Sequence, residues 1–292
     1  MSRSLENAKS RKAFQNLSVE VNRLYAENNN YLIEYSESVE NPIPYCIVYF
    51  SSNNIYYPDS KEVFYEQIIR NDRYEWCHTR IDSGTKHIFM RDIKKQHYMT
   101  GVNSRLDTIE KLIDFLKAET EGYKTITVGS SSGGYAAVLF GQQLNAERIY
   151  SFNGQFVLDV NNPVFHKIEK SILRKYYKLQ DFLKMPSTVF YFHSNKSTRD
   201  IYQFKCIKNT GIHTISFDAK VHGVPFLKSC LPIVLNLSIR DLKILSNKRH
   251  NTLLFSINMV GIWLTLTGFF KELQELLREQ ALTRNLKNAL GF

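Results

Sequence analysis

Short, continuous apolar runs alternate with amphipathic stretches through the middle of the chain. Residues 44–50 (PYCIVYF) and 188–193 (TVFYFH) are runs of the first kind, which are typical of strands buried on both faces of a sheet. Residues 105–117 instead repeat Leu and Ile every three or four positions, as an amphipathic helix does. Strands that alternate with helices predict a mostly parallel sheet flanked by helices. Similar patterns predict further strands at 31–33, 87–90, 125–128, 148–152 and 213–217, and further helices at 61–70, 135–144, 197–208 and 223–237.

The pattern also divides the chain into three parts. Residues 1–30 are polar, with a helical spacing that ends at three consecutive asparagines. Residues 31–237 carry the alternation of strands and helices, and a basic, irregular stretch within them, 153–185, is a candidate cap over a site. Residues 238–292 are predicted to contain helices only. The sequence therefore predicts an α/β domain between an N-terminal helical segment and an all-helical C-terminal extension.

Composition and charge limit the classes of partner. The chain has 292 residues, 43% of them hydrophobic and 23% charged, as in an ordinary globular protein. Its net charge of +10 favours an acidic partner such as an anionic polysaccharide, a nucleic acid or a membrane surface. The basic residues are scattered, however, and a solvated basic surface explains them more simply. No nucleic-acid-binding module interleaves them with aromatic residues, so we expect no nucleic-acid partner.

The cysteines and the N-terminus indicate an intracellular protein. The four cysteines are widely spaced without a C-x-x-C pair, which indicates reduced thiols rather than a disulfide framework. Residues 1–20 lack the apolar core of a signal peptide. We therefore expect a cytoplasmic location.

One segment near the C-terminus complicates this expectation. Residues 251–270 contain no charged residue and are just long enough to cross a membrane. Asn251, Asn258 and several Thr and Ser weaken a membrane interpretation, so a buried helix or a helix at a homo-oligomer interface is favoured. A helix lying on a membrane surface and a true span are the alternatives, and the first would make the protein peripheral to the inner membrane.

The most specific chemical signal is the sequence TITVGSSSGGYAA at 125–137. A strand pattern leads directly into G-x-S-x-G and a helical pattern follows, which is the layout of a nucleophile elbow with Ser131 at its centre. Gly129 and Gly133 suit so tight a turn because they carry no Cβ. Ser132 is a weaker candidate nucleophile, since Ser130 could serve as the small residue two positions before it.

A serine nucleophile needs a base and an acid that orients the base. After a nucleophile elbow these follow in the chain order acid, then His. Asp200 lies after the predicted strand 188–193, and His222 lies in a loop after the predicted strand 213–217. We therefore predict a catalytic triad of Ser131, Asp200 and His222.

Two further residues compete for these roles. Asp218 is the alternative acid, but it lies only four residues before His222, too close to orient the imidazole from a neighbouring strand. Asp200 could also be an ordinary carboxylate in the first turn of a helix. His193 is flanked by apolar residues, so we expect it to line the core or the site rather than to act in catalysis.

The tetrahedral intermediate of acyl transfer needs two N–H donors. The backbone of Ser132, at the start of the predicted helix, is the first candidate. The second is expected from the loop after the earlier buried strand, at Ser51 and Ser52, for which an ordinary turn is the alternative interpretation. The sequence carries no metal-binding or nucleotide-binding motif, so we expect no metal and no resident cofactor.

Residues 129–137, Asp200 and residues 222–223 carry a resemblance to a known group of proteins. Over about residues 31–237 the chain resembles the α/β-hydrolase superfamily. That resemblance implies a serine-dependent enzyme that acts on an ester or a carbohydrate.

A narrower resemblance rests on residues 91–101 and 151–156 as well as on the elbow. The chain is similar to serine-dependent proteins of bacterial capsule and surface-polysaccharide synthesis, among them sugar O-acetyltransferases with a hydrolase fold. This implies acetyl-CoA as the acyl donor if the protein is a transferase. The helical C-terminal region and the basic cap depart from the pattern, which leaves the substrate and the acceptor open.

The sequence thus predicts a serine esterase or O-acyltransferase that acts on a surface polysaccharide or its precursor. The alternative from another class is a non-catalytic scaffold of a polysaccharide-synthesis assembly, with a hydrolase fold and a degenerate site. A membrane-attached lipid esterase is a third interpretation, which requires residues 251–270 to bind a bilayer.

Overall fold

The computed structural model of the protein describes residues 19–36, 44–183 and 187–289. Its framework is an eight-stranded sheet. The strands are β1 (Tyr31–Tyr35), β2 (Tyr45–Phe50), β3 (Gly84–Met90), β4 (Lys124–Ser130), β5 (Arg148–Phe152), β6 (Thr188–Ser194), β7 (His213–Phe217) and β8 (Arg249–His250).

The strand order across the sheet is β1-β3-β2-β4-β5-β6-β7-β8. The strand β1 runs antiparallel to β3, and every other neighbouring pair is parallel. The carboxyl ends of β2 to β7 therefore open onto one edge of the sheet, which is where a parallel α/β sheet binds its ligands.

Helices cover the sheet. They are α1 (19–27), α2 (Lys61–Phe64, continued by a π-helix over Tyr65–Arg70), α3 (Ile109–Thr120), α4 (Ser132–Gln143), α5 (Lys170–Tyr176), α6 (Thr198–Ile207), α7 (Leu231–Asn236), α8 (Ile239–Leu245) and α9 (Thr252–Ala289). Short 3-10 turns occupy Asn53–Ile55, Pro163–Phe165, Leu179–Phe182 and Lys228–Cys230. The helix α9 is broken at Gly261, whose φ of 78° and ψ of 168° are not helical.

The apolar runs of the sequence become strands that are buried on both faces. Residues of β2 alternate between two cores: Val48 packs among the residues of α3 and α4, and Tyr49 packs among those of α7 and α8. The helix α4 lies close on the sheet because its inner residues are small. A Cβ added at Gly141 would lie 2.5 Å from Thr127 Oγ1.

The predicted fold class is confirmed. The sheet is mostly parallel with helices on both faces, and its central strand β4 leads through a serine turn into α4, as in α/β hydrolases. The helical C-terminal region differs from the prediction at Arg249–His250, which forms β8 because it pairs with the edge of β7. The helix predicted over 223–237 is confined to Leu231–Asn236 and the short turn before it.

The predicted division of the chain stays a prediction. Residues 1–18 of the N-terminal segment, 184–185 of the candidate cap and 290–292 lie outside the described residues. The described part of the cap contains α5 and two short turns. Its residues Phe165, Leu173 and Leu179 are buried in the same core as α3 and α4.

Candidate active site

Ser131 occupies a strained turn between β4 and α4. Its φ of 54° and ψ of −116° lie outside the helical and extended regions that non-glycine residues prefer. The turn is held in place because the Ser131 N–H donates to the Phe152 carbonyl of β5 at 2.9 Å. Backbone strain of this kind concentrates at functional sites, where contacts with the surrounding structure offset its free-energy cost.

The glycines on either side of Ser131 make the turn possible. A Cβ on Gly129 would lie 2.0 Å from the Gly133 carbonyl oxygen, and a Cβ on Gly133 would lie 2.2 Å from the Phe50 carbonyl oxygen. Both distances are far inside van der Waals contact with backbone atoms that side-chain motion cannot relieve. The G-x-S-x-G spacing is therefore required by close backbone approach at both of its glycines.

Three of the predicted site residues come together above the sheet. Ser131 Oγ lies 2.8 Å from His222 Nε2, and His222 Nδ1 lies 2.7 Å from Asp200 Oδ1. Asp200 is fully buried, whereas the side chain of His222 is 27% exposed. The two distances fit the tautomer in which the imidazole donates to Asp200 and accepts from the Ser131 hydroxyl.

The structure places the alternative candidates elsewhere. Asp218 bonds to Asn195 Nδ2 at 2.7 Å and forms an ion pair with Arg249, so its carboxylate is engaged away from the imidazole. The hydroxyl of Ser132 donates to Asn53 Oδ1 at 2.9 Å. Of the two serines, Ser131 is the one whose hydroxyl meets the imidazole of His222.

The loop that carries His222 is tied to the neighbouring strands. The Val221 carbonyl accepts from Ser194 Oγ at 2.5 Å and from Asn153 Nδ2 at 3.3 Å. Asn153 Oδ1 in turn accepts from the Ser194 N–H at 2.9 Å. Asn153 and Ser194 thus fix the residue before His222. Sequence reasoning named neither as a site residue, although each directly follows a predicted strand at the edge where the site lies.

The candidate oxyanion loop differs from the expectation at its two serines. The Ser51 N–H donates to the Met90 carbonyl at 2.9 Å, and the Ser52 N–H donates to Glu75 Oε2 at 2.7 Å. In this geometry neither N–H is free for an oxyanion, because strand pairing takes the first and a carboxylate takes the second. Among the described residues, no hydrogen bond engages the N–H of Asn53 or of Ser132.

Glu75 contacts this loop from a distant part of the chain, and the sequence did not indicate this role. Its carboxylate accepts from both the N–H and the hydroxyl of Ser52, at 2.7 and 3.0 Å. Burial raises the pKa of Glu75, and the bonds from Ser52 oppose that shift. The two residues are 23 positions apart in the chain, and no pattern between them predicts the contact. Glu75 anchors the loop from which Asn53 reaches the hydroxyl of Ser132.

His193 lies near Asp200 without bonding to it. Its ring stacks between Tyr191 and Phe204, with ring centroids 5.3 and 4.6 Å away. Neither ring nitrogen has a hydrogen-bond partner in the part of the chain that the structure describes. Burial lowers the pKa of His193 to about 4, so the ring is neutral near pH 7. Within the described residues, no group of three His, Cys, Asp or Glu side chains is arranged to hold a metal ion.

Comparison with known proteins yields structural likeness only. No protein-family model matches the chain, and no curated protein matches it by sequence. The capsule O-acetyltransferase of Neisseria meningitidis serogroup A is 15% identical, with a TM-score of 0.42 over 65% of this chain and 82% of that one. Esterase B of Lactobacillus rhamnosis is 10% identical, with a TM-score of 0.42 over 99% of both chains. The fluorophosphonate-binding serine hydrolase F of Staphylococcus aureus is 12% identical, with a TM-score of 0.39 over 62% of this chain and 78% of that one.

Proposed function

We propose that the protein is a serine-dependent acyl-transfer enzyme, an esterase or an O-acyltransferase, with Ser131, His222 and Asp200 as its catalytic triad. The observation that carries the proposal is the continuous hydrogen-bond chain from Ser131 Oγ through the imidazole to Asp200. The strained φ of Ser131 supports it, because an ordinary Ser/Gly turn has no need of such a conformation.

In the first half-reaction, Ser131 Oγ attacks the carbonyl carbon of an ester or thioester. The hydroxyl proton passes to His222 Nε2, and buried Asp200 stabilises the imidazolium that forms. The oxyanion is placed against the free N–H of Ser132 at the start of α4. Asn53 is the better candidate for the second donor, because the N–H groups of Ser51 and Ser52 are already engaged. The imidazolium then protonates the leaving group, and an acyl-Ser131 intermediate remains.

In the second half-reaction, an acceptor hydroxyl loses its proton to His222 and attacks the acyl carbon. The bond between that carbon and Ser131 Oγ then breaks, and the imidazolium returns the proton to Ser131. Water as the acceptor makes the protein an esterase, and a sugar hydroxyl makes it a transferase. The triad is the same in both cases, so the difference depends on how well the site binds the acceptor and excludes water.

The substrate class we propose is a bacterial surface polysaccharide or its precursor. The sequence resemblance in residues 91–101 and 151–156 supports this, and the net charge of +10 suits an anionic glycan. Acetyl-CoA is the proposed acyl donor if the enzyme is a transferase. A structure of a point mutant of the N. meningitidis acetyltransferase is in complex with CoA.

A fluorophosphonate probe tests the triad directly, because it labels a serine only when that serine is activated as a nucleophile. We expect the wild type to be labelled, Ser131→Ala to lose labelling and Ser132→Ala to keep it. A folded wild type that takes up no probe would contradict the proposal and favour the non-catalytic scaffold instead. Labelling that disappears in Ser132→Ala but not in Ser131→Ala would move the nucleophile to the neighbouring residue.

Measuring whether the acyl group goes to water or to a sugar distinguishes an esterase from a transferase. The enzyme is incubated with acetyl-CoA or 4-nitrophenyl acetate, with and without anionic oligosaccharides, and both acetate and acetylated glycan are measured. Faster acyl loss to the glycan than to water would identify a transferase. Acetate as the sole acyl product with every glycan would identify an esterase.

A further inference from the structure

The outer face of α9 carries an unusual number of exposed large apolar side chains. Ten large apolar side chains between residues 253 and 277 are 40% to 79% exposed, and Trp263 is the most exposed of them. The stretch Thr252–Gln274 is long and apolar enough to cross a membrane, yet only 17% of its most apolar window is buried inside the protein. Large exposed apolar patches mark interaction surfaces.

The inner face of the same helix is attached to the α/β domain along its length. Phe255 packs on Phe217 and Phe226, with ring centroids 4.9 and 5.3 Å away. Further along, Gly268 lies so close to Ser229 that an added Cβ would be 2.9 Å from its hydroxyl. Glu272 accepts from the backbone N–H of Lys228 at 2.6 Å.

These contacts fall on both sides of the break at Gly261, so both halves of the helix are fastened to the domain. The buried hydroxyls of Ser256 and Thr265 bond back to carbonyls of their own helix, at 2.9 and 2.8 Å. These two polar side chains on the inner face therefore have hydrogen-bond partners in their buried positions. The contacts from Phe255 to Glu272 fix about 26 Å of helix to a folded domain, and a helix held in this way cannot also cross a bilayer.

The charge around the exposed face favours a lipid surface over a second copy of the chain as its partner. Residues 251–270 contain no charged residue. Exposed Lys248 and Arg249 precede this stretch, and exposed Lys271 and partly buried Glu272 follow it. The whole chain carries a net charge of +10, which would oppose self-association and favour an anionic surface. Trp263, Phe269 and Phe270 are side-chain types that insert at the boundary between headgroups and acyl chains.

We propose that the outer face of α9 docks the protein, in the plane of the membrane, on an anionic lipid bilayer. This goes beyond acyl transfer and does not depend on it. Docking would bring the active site close to the bilayer, because the Thr252 hydroxyl donates at 3.4 Å to the Pro225 carbonyl of the loop that carries His222.

Vesicle co-sedimentation tests the proposal with a matched pair of double variants. Trp263→Asp/Phe270→Asp removes two exposed aromatic side chains from α9 and adds two negative charges. Tyr35→Asp/Tyr57→Asp makes the same change elsewhere, at side chains that are 69% and 73% exposed. Vesicles of phosphatidylcholine with phosphatidylglycerol are compared with vesicles of phosphatidylcholine alone.

We expect the wild type to bind the anionic vesicles, to bind the neutral ones more weakly, and to be released by an alkaline carbonate wash. The α9 variant should lose about tenfold or more in vesicle affinity, and the control should lose little. Both should hydrolyse a soluble ester like the wild type, so the readout is separate from the triad.

Three outcomes would overturn the proposal. The first is a wild type that binds neither kind of vesicle. The second is resistance to the carbonate wash, which would indicate insertion across the bilayer. The third is a dimer, measured by light scattering, that the α9 variant dissociates without any effect on vesicle binding, which would make this face a contact between two copies of the chain.

Discussion

Ser131 Oγ lies 2.8 Å from His222 Nε2, although 91 positions separate the two residues in the chain. Ser131 follows β4 and His222 follows β7, and Asp200 follows β6, which pairs with β7. All three side chains therefore lie at one edge of the sheet, because parallel strands end there. The predictions below depend on that arrangement.

The proposed acid of the triad, Asp200, can be tested with a matched pair of aspartates. We expect Asp200→Asn to lower kcat for 4-nitrophenyl acetate by roughly 10³- to 10⁴-fold, because the amide no longer favours the imidazole tautomer that accepts from Ser131. Asp218→Asn should leave kcat nearly unchanged, since that carboxylate bonds to Asn195 and Arg249. Steady-state kinetics on both folded variants measures this. Equal losses, or a larger loss at Asp218, would contradict the assignment.

The geometry of the elbow predicts a severe effect at a single glycine. Gly129→Ala forces a Cβ to within 2.0 Å of the Gly133 carbonyl, so we expect it to cost more than about 3 kcal/mol in the free energy of unfolding and to abolish probe labelling. Gly122→Ala is the control. Its Cβ meets no atom within 4 Å, and its φ of +80° should cost only about 1 kcal/mol. Denaturant unfolding compares the two, and similar losses would show that close approach at Gly129 is not the cause.

His193 should make the protein less stable in acid. Burial lowers the pKa of its imidazole from 6.5 to about 4, so between these values the unfolded chain binds a proton that the folded chain does not. The contribution of His193 to stability is therefore complete above pH 6.5 and is lost as the pH falls towards 4. At pH 5 the loss is about 2 kcal/mol.

His193→Phe removes this titration and keeps a ring between Tyr191 and Phe204. We expect the difference in unfolding free energy between variant and wild type to shift in favour of the variant by about 2 kcal/mol from pH 7 to pH 5. Urea denaturation at both pH values measures it. A difference that does not change with pH would mean that His193 is not held neutral in the folded protein.

Glu75 should affect turnover through the loop that it anchors. Glu75→Ala removes both bonds to Ser52, so we expect roughly a tenfold or larger fall in kcat because the Asn53 region is no longer held beside the elbow. KM for a small ester should change less. Glu62→Ala, at an exposed position in α2, is the control. A folded Glu75→Ala variant with unchanged kcat would show that the loop needs no anchor.

Much of the fold follows from local pattern. The apolar runs at 44–50 and 188–193 became β2 and β6, and the predicted strand at 213–217 coincides with β7. Such strands can be recognised in the sequence because a strand buried on both faces must be apolar throughout. The helix predicted over 223–237 failed over its first half, since an apolar stretch of that length can pack as a loop as well as a helix.

The sequence by itself determined the elbow, because backbone clashes at Gly129 and Gly133 admit only glycine, and it determined the order in which Ser131, Asp200 and His222 follow. Only the tertiary structure decided which N–H groups near Ser131 are free, since Met90 and Glu75 reach Ser51 and Ser52 from distant parts of the chain. It also decided that the apolar face of α9 points outward. A hydrophobic pattern shows which residues avoid water, but the surface that covers them is chosen by packing between elements far apart in the chain.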